Sequence, residues 1–144
     1  MTPEAIFPIA NMTALAGWAA LLASPLIPRL SDVVASIVIP LLLAVAYAGL
    51  VLAFWNGAQG GFDTLDNVSL LFQSREMLLA GWLHYLAFDL FVGGWIARTA
   101  RTEGVSFVLV VPCLALTFLF GPVGFLVFSV IRVARLRGRT ALSA

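Results

Sequence analysis

The run VVASIVIPLLLAVAYAGLVLAFW, residues 33–55, contains no charge and ends on an aromatic pair, Phe54 and Trp55. A bilayer core takes about 20 apolar residues to cross as a helix, and aromatic residues favour its interfaces. This stretch therefore reads as a transmembrane helix, and the sequence on either side repeats the pattern. Residues 5–28 are also free of charge and close on Pro25, Pro28 and Arg29. Residues 76–97 are apolar apart from Glu76, His84 and Asp89, and residues 104–131 lead into Arg132, Arg135, Arg137 and Arg139. The expectation is an all-α integral membrane bundle of four transmembrane helices, a single domain over 1–144 with a basic tail at 132–144.

Composition agrees. The 144 residues are 62% hydrophobic and 10% charged, with a mean hydropathy of +1.05, where soluble domains are about a quarter charged. A net charge of +1 with scattered arginines gives no nucleic-acid surface. Cys113 is the sole cysteine and His84 the sole histidine, which excludes an intrachain disulfide and any multi-cysteine or polyhistidine metal site within one chain. The N-terminal MTPEAIFP carries an acidic residue and no Lys or Arg, unlike a secretory signal or transit peptide. The Ala-, Gly- and Arg-rich composition points to a bacterial cytoplasmic (inner) membrane.

Short connections at 29–32 and 98–103 suit antiparallel neighbours. The longer loop 56–75 opens on Gly-rich turn material, and around Val68, Leu70, Leu71 and Phe72 it can lie along the interface. Four spans place both termini and this loop on one side, with Arg75 and the four C-terminal arginines, against Arg29, Arg98 and Arg101 on the other. Five against three puts both termini in the cytoplasm. Small residues at four-residue spacing (Ala16 and Ala20, Ala44 and Ala48) permit close helix approach. Pro40, Pro112 and Pro122 are expected to bend their spans, the last within Phe120-Gly121-Pro122-Val123-Gly124.

The chemistry concentrates in REMLLAGWLHYLAFDLFVGGWIAR, residues 75–98. An ionised carboxylate at the bilayer centre costs roughly 3 kcal/mol or more, so Asp89 should face the bundle interior, be paired, or carry a proton. At about 100° and 1.5 Å per residue, His84 and Asp89 point about 140° apart and Glu76 lies about 12 Å below His84. Any direct partner of Asp89 is therefore expected from another helix, with Asn11 the best uncharged candidate. Arg75 with Asp63 and Asp66 is a candidate gate. Trp82, Tyr85, Phe88, Phe91 and Trp95, joined by Phe118, Phe120 and Phe125 from the fourth span, suggest a slot for a long apolar ligand, with Asn11, Glu76, His84 and Asp89 setting its orientation. The plainer alternative is that these aromatics fill the bundle.

Gly81-Trp82-Leu83-His84-Tyr85-Leu86-Ala87-Phe88-Asp89-Leu90, with Gly93 and Trp95, together with Phe118-Leu119-Phe120-Gly121-Pro122-Val123-Gly124, resembles the abscisic-acid-deficient-type family of small membrane proteins. Asn11, Trp18 and Pro25 in the first span and Arg75-Glu76 at the start of the third extend the resemblance over nearly the whole chain. The family is known in plants for neoxanthin synthesis from violaxanthin. The resemblance implies a carotenoid as substrate or bound pigment, with carotenoid, lipid and membrane as partners, and plastid membranes as the setting in plants.

Three readings follow. The first is a carotenoid-modifying enzyme, with His84, Asp89 and Glu76 as candidate catalytic residues and Asn11, Trp82, Tyr85, Phe88, Phe91, Trp95, Phe118 and Phe120 as candidate ligand contacts. Its chemistry would be an oxidative modification or cleavage to an apocarotenoid such as retinal, or an isomerase-type rearrangement by acid–base transfer. No metal ligand set is expected, although His84 can serve as the single axial ligand of a haem. The second reading is a non-catalytic, photoprotective carotenoid-binding protein. The third is a small proton-coupled channel or transporter built around Asp89. A thin bundle of this kind also suits a homo-oligomer.

Overall fold

Every regular element of the computed structural model is helical. It describes residues 2–142, with side chains for 2–135; the rest of the expected basic tail lies outside the described residues. The elements are α1 (Pro3–Leu22), α2 (Pro28–Val33), a π-helical turn (Val34–Val38), α3 (Ile39–Phe54), α4 (Leu65–Leu71), α5 (Arg75–Thr102), α6 (Phe107–Phe120) and α7 (Pro122–Leu142). Among the described residues, three helices are long and apolar enough to cross a membrane: Pro3–Leu22, Pro28–Gly57 and Arg75–Thr102. Their outer faces carry large apolar side chains, with Leu52 84% and Val45 71% exposed. An apolar surface of this kind suits contact with lipid tails.

α5 is the hub. α1 runs parallel to it, since Glu4 pairs with Arg75 (3.1 Å) at one end while Trp18 packs on Gly93 further along. The α2–α3 arm runs antiparallel, with Asp32 paired to Arg101 at one end and Tyr47 beside His84 further along. Close approach rests on glycines in α1 and α5. A Cβ on Gly93 would lie 2.8 Å from the Trp18 ring, and one on Gly17 would meet Leu90. This is the small-residue packing that replaces hydrophobic association in lipid. The π-helical turn precedes Pro40, which has no N–H to offer the carbonyl four residues back, so the helix widens there. Pro112 lies inside α6 without ending it.

The expected fourth span is not one helix. Gly121 (φ +48°, ψ −98°) breaks it, and Pro122 starts α7 in the position where a missing N–H is harmless. α6 has 14 residues, about 21 Å at 1.5 Å each, too short for a core of about 30 Å. α7 then folds back alongside. Gly124 packs on Thr117 and the Cys113 carbonyl, Phe125 and Phe128 meet Trp95 at 5.5 and 5.6 Å, and Arg132 Nε donates to Glu103 at 2.7 and 2.8 Å. Arg135 donates to the Gly104 carbonyl at 3.2 Å. α6 and α7 are thus the two arms of a hairpin that returns to the end of the bundle it left. Arg132 and Arg135 join Arg29, Arg98 and Arg101 rather than Arg75, which corrects the arginine count made for four spans.

The 56–74 connection is built rather than slack. Gly60 (φ +91°) turns the chain onto α4, and Gly61 N–H donates to the Asn67 carbonyl at 3.2 Å. Asn67 donates to both Asp63 oxygens, which lowers that carboxyl below its ordinary range. Thr64 caps α4 by accepting from Asn67 N–H (3.1 Å), and Ser74 caps α5 by accepting from Met77 N–H (3.4 Å). Gly93→Leu should destabilise the bundle by about 1–3 kcal/mol through overpacking against Trp18. Gly49→Leu, where an added Cβ meets nothing within 4 Å, should leave thermal unfolding in detergent unchanged.

Candidate functional site around Asp89

Asp89 stands at the middle of α5, about 20 Å from either end at 1.5 Å per residue. It is 9% exposed, and its Oδ2 is buried without a hydrogen-bond partner. Two neighbours define its setting. Tyr85, one turn earlier on the same helix, interacts with the Asp89 side chain through its hydroxyl and donates to the Phe118 carbonyl at 3.2 Å. Gly121, at the hairpin tip, approaches so closely that a Cβ there would lie 2.7 Å from Asp89 Oδ1.

The hairpin tip explains this grouping. A helix that ends inside an apolar bundle leaves carbonyls without intrahelical partners, and these need donors from the protein. Tyr85 satisfies Phe118, Gly121 N–H donates to Thr117 at 2.8 Å, and Gly124 N–H donates to Gly121 at 3.1 Å. The irregular backbone is therefore tolerated because it is bonded and pressed against α5.

Several expected associations do not form. Asn11 does not reach Asp89: its Nδ2 donates to the Phe7 carbonyl and its Oδ1 accepts from Trp82 Nε1, both at 3.0 Å. The parallel register of α1 sets Asn11 about two turns short of Asp89. Glu76 accepts from the Ser74 hydroxyl at 3.0 Å, at the start of α5, about 20 Å from Asp89. His84 faces Tyr47 and Phe88 on the opposite side of the helix. Glu76, His84 and Asp89 therefore do not make one site. Arg75 pairs with Glu4 and Asp63 with Asn67, so the expected Arg75 gate is not built. Among the described residues, no group of three or more His, Cys, Asp or Glu side chains comes together as a metal site.

The aromatic residues divide between faces. Trp82 lies between Phe7 (5.8 Å) and Tyr85 (5.3 Å), and Phe118 meets Trp18 edge-on at 5.5 Å. Phe88 and Phe91 border a separate apolar hollow beside Ser36 and Pro40, Trp95 packs on the hairpin, and Phe120 faces outward. Arg75, Leu78, Trp82, Tyr85 and Asp89 share one face of α5, within an arc of about 80°. Along its first half this face and α1 enclose a groove of about 430 Å³, lined by Phe7, Leu78, Leu79 and Trp82 with the Arg75–Glu4 pair at its outer end. The groove stops at Trp82, and Asp89 lies two turns further along the same face, past Tyr85.

Tyr85 was legible only as an aromatic wall, although its position four residues before Asp89 is the spacing that brings helical neighbours together. Gly121 was legible as a break but not as the neighbour of Asp89.

An all-helical protein, with three helices long and apolar enough to cross a membrane and an unpartnered carboxyl oxygen buried at mid-helix, is thus the class that fold and site define. The chain belongs to the ABA DEFICIENT 4-like family, whose pattern matches residues 5–128. No curated protein and no solved structure matches it. Gly121→Ala should cost about 1–3 kcal/mol, because it forces a side chain into positive φ and against Asp89; a lowered unfolding temperature in detergent is the measurement.

Proposed function

We propose that this protein binds a carotenoid in the α1/α5 groove, with the oxygenated end group reaching past Trp82 and Tyr85 to Asp89, and rearranges that end group by proton transfer there. The observation that carries the reading is the buried Asp89 Oδ2, which has no partner and lies on the same helix face as the groove. A buried polar atom left unpaired is costly, and function is a common reason for keeping one. Membership of the ABA DEFICIENT 4-like family supports a carotenoid as ligand. The groove supplies apolar and aromatic walls for a polyene, with Trp82 fixed by Asn11.

The chemistry needs no net oxidation. A proton from the Asp89 carboxyl goes to an oxygen of the end ring as its C–O bond breaks, and the resulting carboxylate takes a proton from carbon as a double bond forms. The product is an isomer of the substrate. Tyr85 orients the carboxyl and holds the hairpin tip beside it. His84 and Glu76 have no part in this step.

In the membrane, three helices cross and the α6–α7 hairpin enters and leaves from one side. Arg29, Arg98, Arg101, Arg132 and Arg135 lie at that end, with Arg137 and Arg139 next in the chain, against Arg75 alone at the other. The positive-inside rule makes the arginine-rich end cytoplasmic. The N-terminus and the 56–74 loop then lie across the membrane from α7, which replaces the arrangement with both termini in the cytoplasm.

Expression in a bacterium that makes epoxy-carotenoids, followed by liquid chromatography and mass spectrometry, tests the chemistry. The expected product has unchanged mass and a new retention time, and Asp89→Asn should lower its yield by about 10²-fold or more while pigment still co-purifies. Full product from Asp89→Asn would sink this reading, and a pigment of altered mass would point to oxidation or cleavage. Topology is checked separately. Reporters that are active only outside the cytoplasm should work when inserted near residue 58 and fail when fused after Arg135.

A further inference from the structure

His84 lies on the α5 face turned away from Asp89, and the reaction above does not use it. Its ring is 5.7 Å from Tyr47 and 4.6 Å from Phe88. Neither the His84 imidazole nor the Tyr47 hydroxyl makes a hydrogen bond among the described residues. Both line a cleft of about 270 Å³ with Trp55, Phe62 and Phe72. The cleft is constructed rather than incidental. Gly60 folds the loop back so that Phe62 meets Trp55 (5.3 Å, 35°), and Gly81 makes room for Phe72, whose ring would lie 2.7 Å from a Cβ at that position.

We propose that this cleft binds the head ring of an isoprenoid quinone, with His84 N–H and Tyr47 O–H donating to one ring carbonyl. The volume suits one substituted ring rather than a whole polyene. A quinone carbonyl has two lone pairs, which matches two side chains that can each donate one hydrogen. A flat conjugated ring can stack on Trp55 and Phe62, whereas the puckered, methyl-crowded end ring of a carotenoid cannot lie flat there. The cleft lies where the bundle meets the 56–74 loop, near the membrane edge, so the isoprenoid tail can run out into lipid. This site is independent of the Asp89 groove.

The protein in lipid nanodiscs, titrated with decyl-ubiquinone, provides the test through quenching of tryptophan fluorescence. A saturable component is expected, and Trp55→Phe should remove it because Trp55 borders the cleft. Tyr47→Phe and His84→Gln should each weaken binding by about tenfold, the equivalent of one hydrogen bond. Asp89→Asn should leave binding unchanged, which separates this site from the carotenoid chemistry. Quenching that never saturates, or that persists unaltered in Trp55→Phe, overturns the assignment. So does unchanged affinity in both the Tyr47 and His84 variants, or tighter occupation of the same cleft by a dihydroxylated carotenoid.

Discussion

Backbone carbonyls and amides within an apolar bundle must find partners inside the protein, and the α6–α7 hairpin shows what that demand does to a chain. α6 stops after 14 residues, near the middle of the bundle. The freed Phe118 carbonyl is met by Tyr85, while Gly121 N–H closes the last turn on Thr117 and Gly124 N–H meets the Gly121 carbonyl at the tip. The Tyr85 bond exists only while the hairpin lies against α5. The tip, the central helix and Asp89 are therefore one mechanical unit, and the glycine at 121 is what allows the tip to touch the carboxyl.

The same constraint accounts for the distribution of charge. Because the hairpin returns to the end it left, Arg132 stands beside Glu103 and Arg135 beside Gly104. The bundle has one arginine-rich end and one end with Arg75 and several carboxylates. A single strand crossing to the far side would have divided the arginines nearly evenly. The two faces of α5 are likewise specialised. One carries the Trp82–Tyr85–Asp89 stripe beside α1 and the hairpin, and the other carries His84 beside Tyr47 of α3 and the loop.

Helical phase alone separated His84 from Asp89, at about 100° per residue, and the structure keeps them on opposite faces. That one calculation limits the chemistry more than any list of polar residues, since Glu76, His84 and Asp89 could otherwise be read as a catalytic triad. The aromatic residues divide in the same way: the single slot expected from their density gives way to a groove beside α1 and an apolar hollow beside Pro40, while other aromatics, Trp55, Phe62 and Phe72, line a cleft under the loop.

The sequence by itself determined the all-helical, strongly apolar class, the first three long apolar helices, the central place of residues 75–98 and the family. Each of these follows from local hydrophobicity and short motifs, which act within one helix. It also marked Phe120-Gly121-Pro122 as a discontinuity. Only the tertiary structure decided that this break reverses the chain rather than bending it, that Asn11 serves Trp82 instead of Asp89, and that Tyr47 meets His84. Those outcomes depend on the register between helices and on which orphan backbone group finds which donor, and neither is written in the periodicity of a single segment.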